Sequence, residues 1–333
     1  MLLRKYFRRR LYLNSHINDV TLTKNANEWL YKNNYQLNYA GFSTLHEEVG
    51  LDLATHILYQ YLTEHKQDQF FNLINQIPIA PFQNGKKIIF LIIPGMFYKE
   101  RPELGSDGAL FSQIAGSLGF EVKMVNTKSL GAISENIPII EEAIAALNDR
   151  DIWLVSLSRG SLEVRAHLQQ AALSDKVNGW LNINGSCFGT LLADYQTNTW
   201  YKRLISRILS VASGMKYEGL SELKATAWGK DFIVPKKMTL IHLVGFPFTS
   251  TVSLQVQNRF KRLSQHGPND GIVLLKDYLR TPGLIYPIWG TDHMMRVPNM
   301  ATLFYKLCYF IHHQCYKDIH YEKLSCFTAP INH

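Results

Sequence analysis

In the first part of the chain, apolar residues recur at the spacing of a helix. Leu45, Val49, Leu53, Ile57, Leu58, Tyr61 and Leu62 fall on one face of a 3.6-residue repeat. Just ahead of them, Thr44-x-x-Glu47 has the form of a capping box, in which a hydroxyl and a carboxylate each satisfy a free backbone amide. The pattern predicts an amphipathic helix from Thr44 to about His65, and a second through Phe70, Leu73 and Ile74. These make up an N-terminal helical layer over roughly residues 15–78, which packs on or precedes the main domain. His46, His56 and His65 are spaced too far apart along it to share a ligand.

After Pro78 and Pro81 the pattern changes to short apolar runs separated by helical stretches. That is the signature of strands feeding crossover helices in a buried parallel sheet. The strongest strand is Ile88 to Ile93, ending at Pro94-Gly95; Phe120 to Val125 follows a helix through Leu110, Ile114 and Leu118. A helix from Ile137 to Leu147 leads to a strand at Ile152 to Leu157 that stops at Ser158-Arg159-Gly160. A helix from Leu162 to Leu173 precedes a short strand, Trp180 to Ile183, closed by Asn184-Gly185. Met238 to Val244 and Leu284 to Trp289 are two further strands. The alternation predicts an α/β fold with a doubly wound, mostly parallel sheet. Thr190 to Lys237 contains scattered Trp200, Tyr201, Leu204, Ile208, Leu209 and Trp228 without a strand pattern, and reads as a helical cap or lid. The expected organisation is a basic tail and helical extension over 1–80, a core over 81–189 and 238–333, and a cap over 190–237.

Composition narrows this only a little. The 333 residues are 46% hydrophobic and 19% charged, ordinary for a folded globular chain. A net charge of +8 raises the question of nucleic acid or anionic membrane. Arg4, Lys5, Arg8, Arg9 and Arg10 account for five of the positives, and no interleaved aromatic and basic pattern follows, so no nucleic-acid partner is expected. With Leu2, Leu3, Tyr6, Phe7 and Leu11 between them, those cations form a short amphipathic stretch. A cationic tail is the default for a terminus, and a weak peripheral membrane contact stays open. The stretch lacks the apolar core and cleavage site of a secretory signal, and no run of apolar residues is long enough to span a bilayer. Cys187, Cys308, Cys315 and Cys326 show no CxxC or metal-ligand spacing; a cytoplasmic setting is expected, with no metal and no organic cofactor.

The chemistry is concentrated at Leu154-Val155-Ser156-Leu157-Ser158-Arg159-Gly160, where an apolar strand runs into Ser-x-Ser-x-Gly and then a helix. Here the sequence resembles the α/β-hydrolase superfamily, above all its lipase- and esterase-like members, over approximately residues 86–312. The resemblance implies that Ser158 is a nucleophile on a strained turn, flanked two positions away on either side by small residues. Gly160 matches that pattern, while Ser156 replaces the usual glycine. It also implies an oxyanion hole built from the Arg159 amide and, in the loop Pro94-Gly95-Met96-Phe97, the Met96 amide. A serine hydroxyl is a weak nucleophile and needs a base and a group that orients the base. The family order is serine, acid, histidine. Gly267-Pro268-Asn269-Asp270-Gly271 and Trp289-Gly290-Thr291-Asp292-His293 resemble the loops that carry the last two, which assigns Asp270 and His293. Asp277 ranks second as the acid and Asp292 third; His242, His266, His312 and His313 lack a position directly after a late strand. The glycine-rich stretch from Gly179 to Thr190 also resembles lipase-type members.

The implied activity is hydrolysis of a small or lipid-like carboxylic ester through an acyl-enzyme. Thioester release or acyl transfer by the same residues is the alternative. A non-catalytic scaffold of this fold that binds a ligand or partner is the reading from another class. Aromatic residues of the insertion are candidates to line an acyl pocket. Oligomeric state is left open by the sequence.

Overall fold

The computed structural model describes residues 15–82, 87–147, 150–170, 176–230 and 232–314. The basic stretch within residues 1–12, together with Cys315 and Cys326, lies outside the described residues.

The N-terminal part is helical: α1 (Ser15–Lys32), α2 (Tyr39–Val49), α3 (Leu51–Tyr61), a π-helical turn at Leu62–Lys66, and α4 (Asp68–Gln76). The single helix expected from Thr44 is therefore two. Asn38 starts α2, its Oδ1 accepting from the Gly41 amide at 2.8 Å, so Thr44 lies in mid-helix and caps nothing. A Thr-x-x-Glu spacing satisfies amides only at a free N-terminus. Gly50, at φ 85°, then breaks the run between α2 and α3.

From there strands and helices alternate: β1 (Ile88–Ile93), α5 (Ala109–Ser117), β2 (Glu121–Met124), α6 (Ile133–Ala145), β3 (Asp151–Leu157), α7 (Gly160–Gln170) and β4 (Val177–Ile183). The insertion forms α8 (Leu191–Thr197), α9 (Trp200–Ser213) and α10 (Tyr217–Ser221). The chain returns through β5 (Thr239–Phe246), α11 (Gln257–Leu263), β6 (Leu284–Trp289) and α12 (Met300–Gln314). All six strands are parallel, in the order β2-β1-β3-β4-β5-β6. Helix α6 begins at Ile133, a turn before the expected Ile137, because the Glu135 carboxylate accepts from the Ala132 amide at 3.0 Å.

The sheet is covered on both faces, which is why β1 reads as six apolar residues without alternation. Phe90 and Ile92 point with Trp153, Val155 and Leu243 into a core closed by α4, α5 and α12. Ile89 and Leu91 point with Leu154 and Trp180 into a second core under α6 and α7. A third core lies under the N-terminal layer, where Phe42, Leu45, Ile57 and Leu58 pack on Val244, Phe246 and Ile285 of β5 and β6.

Candidate active site

Strand β3 delivers Ser158 to the carboxyl edge of the sheet. Ser158 has φ 49°, a left-handed backbone that a residue with a Cβ adopts only when its surroundings hold it there. They do so by crowding. A Cβ on Gly160 would meet the carbonyl oxygens of Ile93 at 2.5 Å and Pro94 at 2.8 Å, so only glycine fits at the start of α7. On the other side, the buried Ser156 hydroxyl makes a 2.9 Å hydrogen bond with the Ser161 hydroxyl and accepts from Trp180 Nε1 at 2.7 Å. A serine in place of the usual glycine is thus accommodated by partners as well as by size.

That contact opens a buried polar chain under the turn. Ser161 Oγ donates to Asn182 Oδ1 at 2.7 Å, and Asn182 Nδ2 donates to His242 Nδ1 at 2.9 Å. His242 Nε2–H donates to the Pro282 carbonyl at 3.0 Å. Both ring nitrogens have partners only as the neutral tautomer, and burial pushes the imidazole down to about 4. His242 is occupied here and does not reach Ser158.

Of the other histidines, His293 is the one brought to Ser158. Its Nε2 lies 2.9 Å from Ser158 Oγ, and its Nδ1 lies 2.9 Å from Asp270 Oδ2. The Asp270 carboxylate is fully buried, and its Oδ1 accepts from the Ile272 and Val273 amides, both at 2.8 Å. The two loops are also tied by backbone, the His293 amide donating to the Asp270 carbonyl at 2.9 Å. Asp277 is engaged elsewhere, with Arg280 at 3.1 Å. Asp292 is turned away from the ring: its carboxylate accepts from the Ser253 amide at 2.6 Å and the Met294 amide at 2.9 Å. It pins the loop that presents His293, a role sequence reasoning missed although the residue adjoins the histidine. Asn184, at φ 47°, was missed as well; its Oδ1 accepts from the Gly245 amide and its Nδ2 donates to the Asp292 carbonyl. His266 contacts the Tyr195 hydroxyl, and His312 packs on Phe82 and Phe120.

Met96 and Arg159 border the same cavity as Ser158 and His293. The loop carrying Met96 presses on the turn, since a Cβ on Gly95 would sit 3.3 Å from Ser158 Cβ. Among the described residues, no backbone carbonyl accepts from the Met96 or Arg159 amide. The Arg159 guanidinium points away, to the Gly131 and Lys128 carbonyls at 3.0 Å and to Glu163 at 2.9 Å. Burial holds the Glu163 carboxyl above its ordinary range against the opposing pull of Arg159.

The cavity has a volume of about 520 Å³. The insertion supplies Leu192, Ala193, Met215, Leu220 and Leu223 to its wall, and α11 supplies Arg259 and Arg262. None of the insertion's aromatic rings borders it, contrary to expectation: Trp200 and Tyr201 face solvent, and Trp228 stacks on the Arg165 guanidinium. Arg165 also donates to the carbonyls of Cys187, Trp228 and Lys230, joining the two ends of the insertion. Among the described residues no group of three metal-ligating side chains occurs, and no helix is long and apolar enough to cross a membrane.

No protein-family model matches the chain, and no curated protein does. Solved structures do match. The metagenomic carboxyl esterase MGS0156 is similar at 16% identity with a TM-score of 0.57, covering 72% of this chain and 80% of that one. The mature form of the Bacillus licheniformis lipase BlEst2 is similar at 15% identity with a TM-score of 0.52, covering 72% of this chain and 95% of that one.

Proposed function

We propose that this chain, whose fold is that of the α/β-hydrolases, is a serine hydrolase that cleaves carboxylic esters. One observation carries the reading: Ser158 Oγ, His293 and Asp270 form a continuous line of 2.9 Å contacts, on a serine held at φ 49°.

In this reading Ser158 Oγ attacks the ester carbonyl carbon while His293 Nε2 takes the hydroxyl proton. Asp270, whose other oxygen is committed to two amides, fixes the imidazole tautomer and stabilises its cationic form. The amides of Met96 and Arg159 receive the oxyanion of the tetrahedral intermediate, a contribution of roughly 3–4 kcal/mol per donor in such sites. Collapse expels the alcohol, which takes the proton back from His293 and leaves an acyl-Ser158. Water, deprotonated by His293, then attacks that acyl group and releases the acid. The mostly apolar cavity wall suits a hydrocarbon acyl or alcohol group.

Ser158→Ala is expected to lower hydrolysis of p-nitrophenyl esters by roughly four orders of magnitude or more and to abolish labelling by a fluorophosphonate probe. Labelling that survives the substitution places the nucleophile elsewhere and overturns the reading.

A further inference from the structure

Helix α9 is mounted inside out. Trp200, Leu204, Ile205, Ile208, Leu209 and Val211 share one side of it, and each is between 51% and 83% exposed. The opposite side carries Ser206 and Ser210, and that is the side turned inward, with Ser206 Oγ donating to the Gln196 carbonyl at 2.9 Å. Surface helices ordinarily turn their apolar stripe to the core, and monomers rarely leave so many large apolar side chains together in water. The hydroxyl face makes the fit to the protein, so the apolar face is left for something else.

Charge indicates what that is. From Trp200 to Ser213 there is no acidic residue, while Lys202, Arg203 and Arg207 flank the apolar face, and Trp200 and Tyr201 stand at its first turn. A second copy of the chain docking face to face would bring these cations against one another. An anionic bilayer complements them, and it receives apolar side chains below and aromatic rings at the headgroup level. We propose that α9 docks on the surface of an anionic phospholipid bilayer, lying along the interface with its apolar side chains at the acyl boundary. The helix is flanked along the chain by cavity residues: Gln196, near the end of α8, and Met215, two residues past α9, both line the cavity that holds Ser158.

The test is co-sedimentation of the full chain with phosphatidylcholine vesicles, with and without phosphatidylglycerol. This readout does not depend on hydrolysis, so its outcome leaves the reading of Ser158 untouched. The parent protein is expected to bind the anionic vesicles, less at high salt. Combining Leu204→Ser, Ile208→Ser and Leu209→Ser, all exposed positions, is expected to weaken binding about a hundredfold with an unchanged melting temperature. Arg203→Glu with Arg207→Glu is expected to weaken it roughly tenfold or more. Three results overturn the proposal: no vesicle binding by the parent, equal binding by the triple variant, or a lipid-free parent dimer that the triple variant converts to monomer.

Discussion

At the scale of single residues, the two acids downstream of β5 show how position in space outranks likeness in sequence. Asp270 and Asp277 lie seven residues apart in one connection and both are largely withdrawn from water, yet one meets an imidazole and the other a guanidinium. A carboxylate that orients a base must share a hydrogen bond with it, and only Asp270 does so, at 2.9 Å. Asp270→Asn is expected to reduce kcat for ester hydrolysis by roughly 10³–10⁴-fold, since the amide favours the wrong histidine tautomer. Asp277→Asn is expected to spare kcat and lower Tm by weakening the Arg280 pair. Steady-state kinetics and thermal melts of the two variants, run in parallel, check this; loss of rate confined to the second reverses the assignment.

At the scale of elements, the polar chain from Ser156 through Ser161 and Asn182 to His242 ties β3, α7, β4 and β5 together under the strained turn. It requires His242 to be neutral. The imidazole is held at about 4 in the fold, against 6.5 for the free group. Between those values the unfolded chain binds a proton that the folded one refuses, so stability rises with pH there. The contribution is complete above about pH 6.5 and is lost as pH falls toward 4, amounting to about 3 kcal/mol. Urea unfolding at pH 7.5 and 4.5 is expected to show a steeper loss for the parent than for His242→Gln. Equal slopes for the two proteins count against a protonation-sensitive link at this position.

At the scale of the whole molecule, the helices ahead of β1 act as one wall of the core. Phe42, Leu45, Ile57 and Leu58 cover Val244, Phe246 and Ile285 on the strands whose following loops carry Asp270 and His293. A chain truncated before residue 67 would bare that surface, and burial at about 25 cal/mol per Å² makes the cost of exposing several large side chains greater than a marginally stable fold can absorb. The truncated protein is expected to be insoluble or to unfold well below the full chain, as read by expression yield and calorimetry. A soluble truncation with an unchanged Tm would show that the layer is dispensable.

What could be read from the sequence alone was whatever depends on neighbours along the chain. The apolar run Ile88–Ile93 and the strand that ends at Ser158 follow from local periodicity, while the turn and the glycine at position 160 were legible only through the family resemblance, because the crowding that demands that glycine comes from the distant carbonyls of Ile93 and Pro94. Helix limits were less legible, because Thr44-x-x-Glu47 looks the same in mid-helix as at a helix start, and only the Asn38 cap and the break at Gly50 distinguish the two. Three things were decided by tertiary structure: which acid meets His293, that His242 is spent on Asn182 and Pro282, and that α9 turns its serines inward and its leucines out. The reason is geometric. Each depends on distances between residues far apart in the chain, which the strand order and the packing of loops on the sheet set, and which no local pattern of residue types contains.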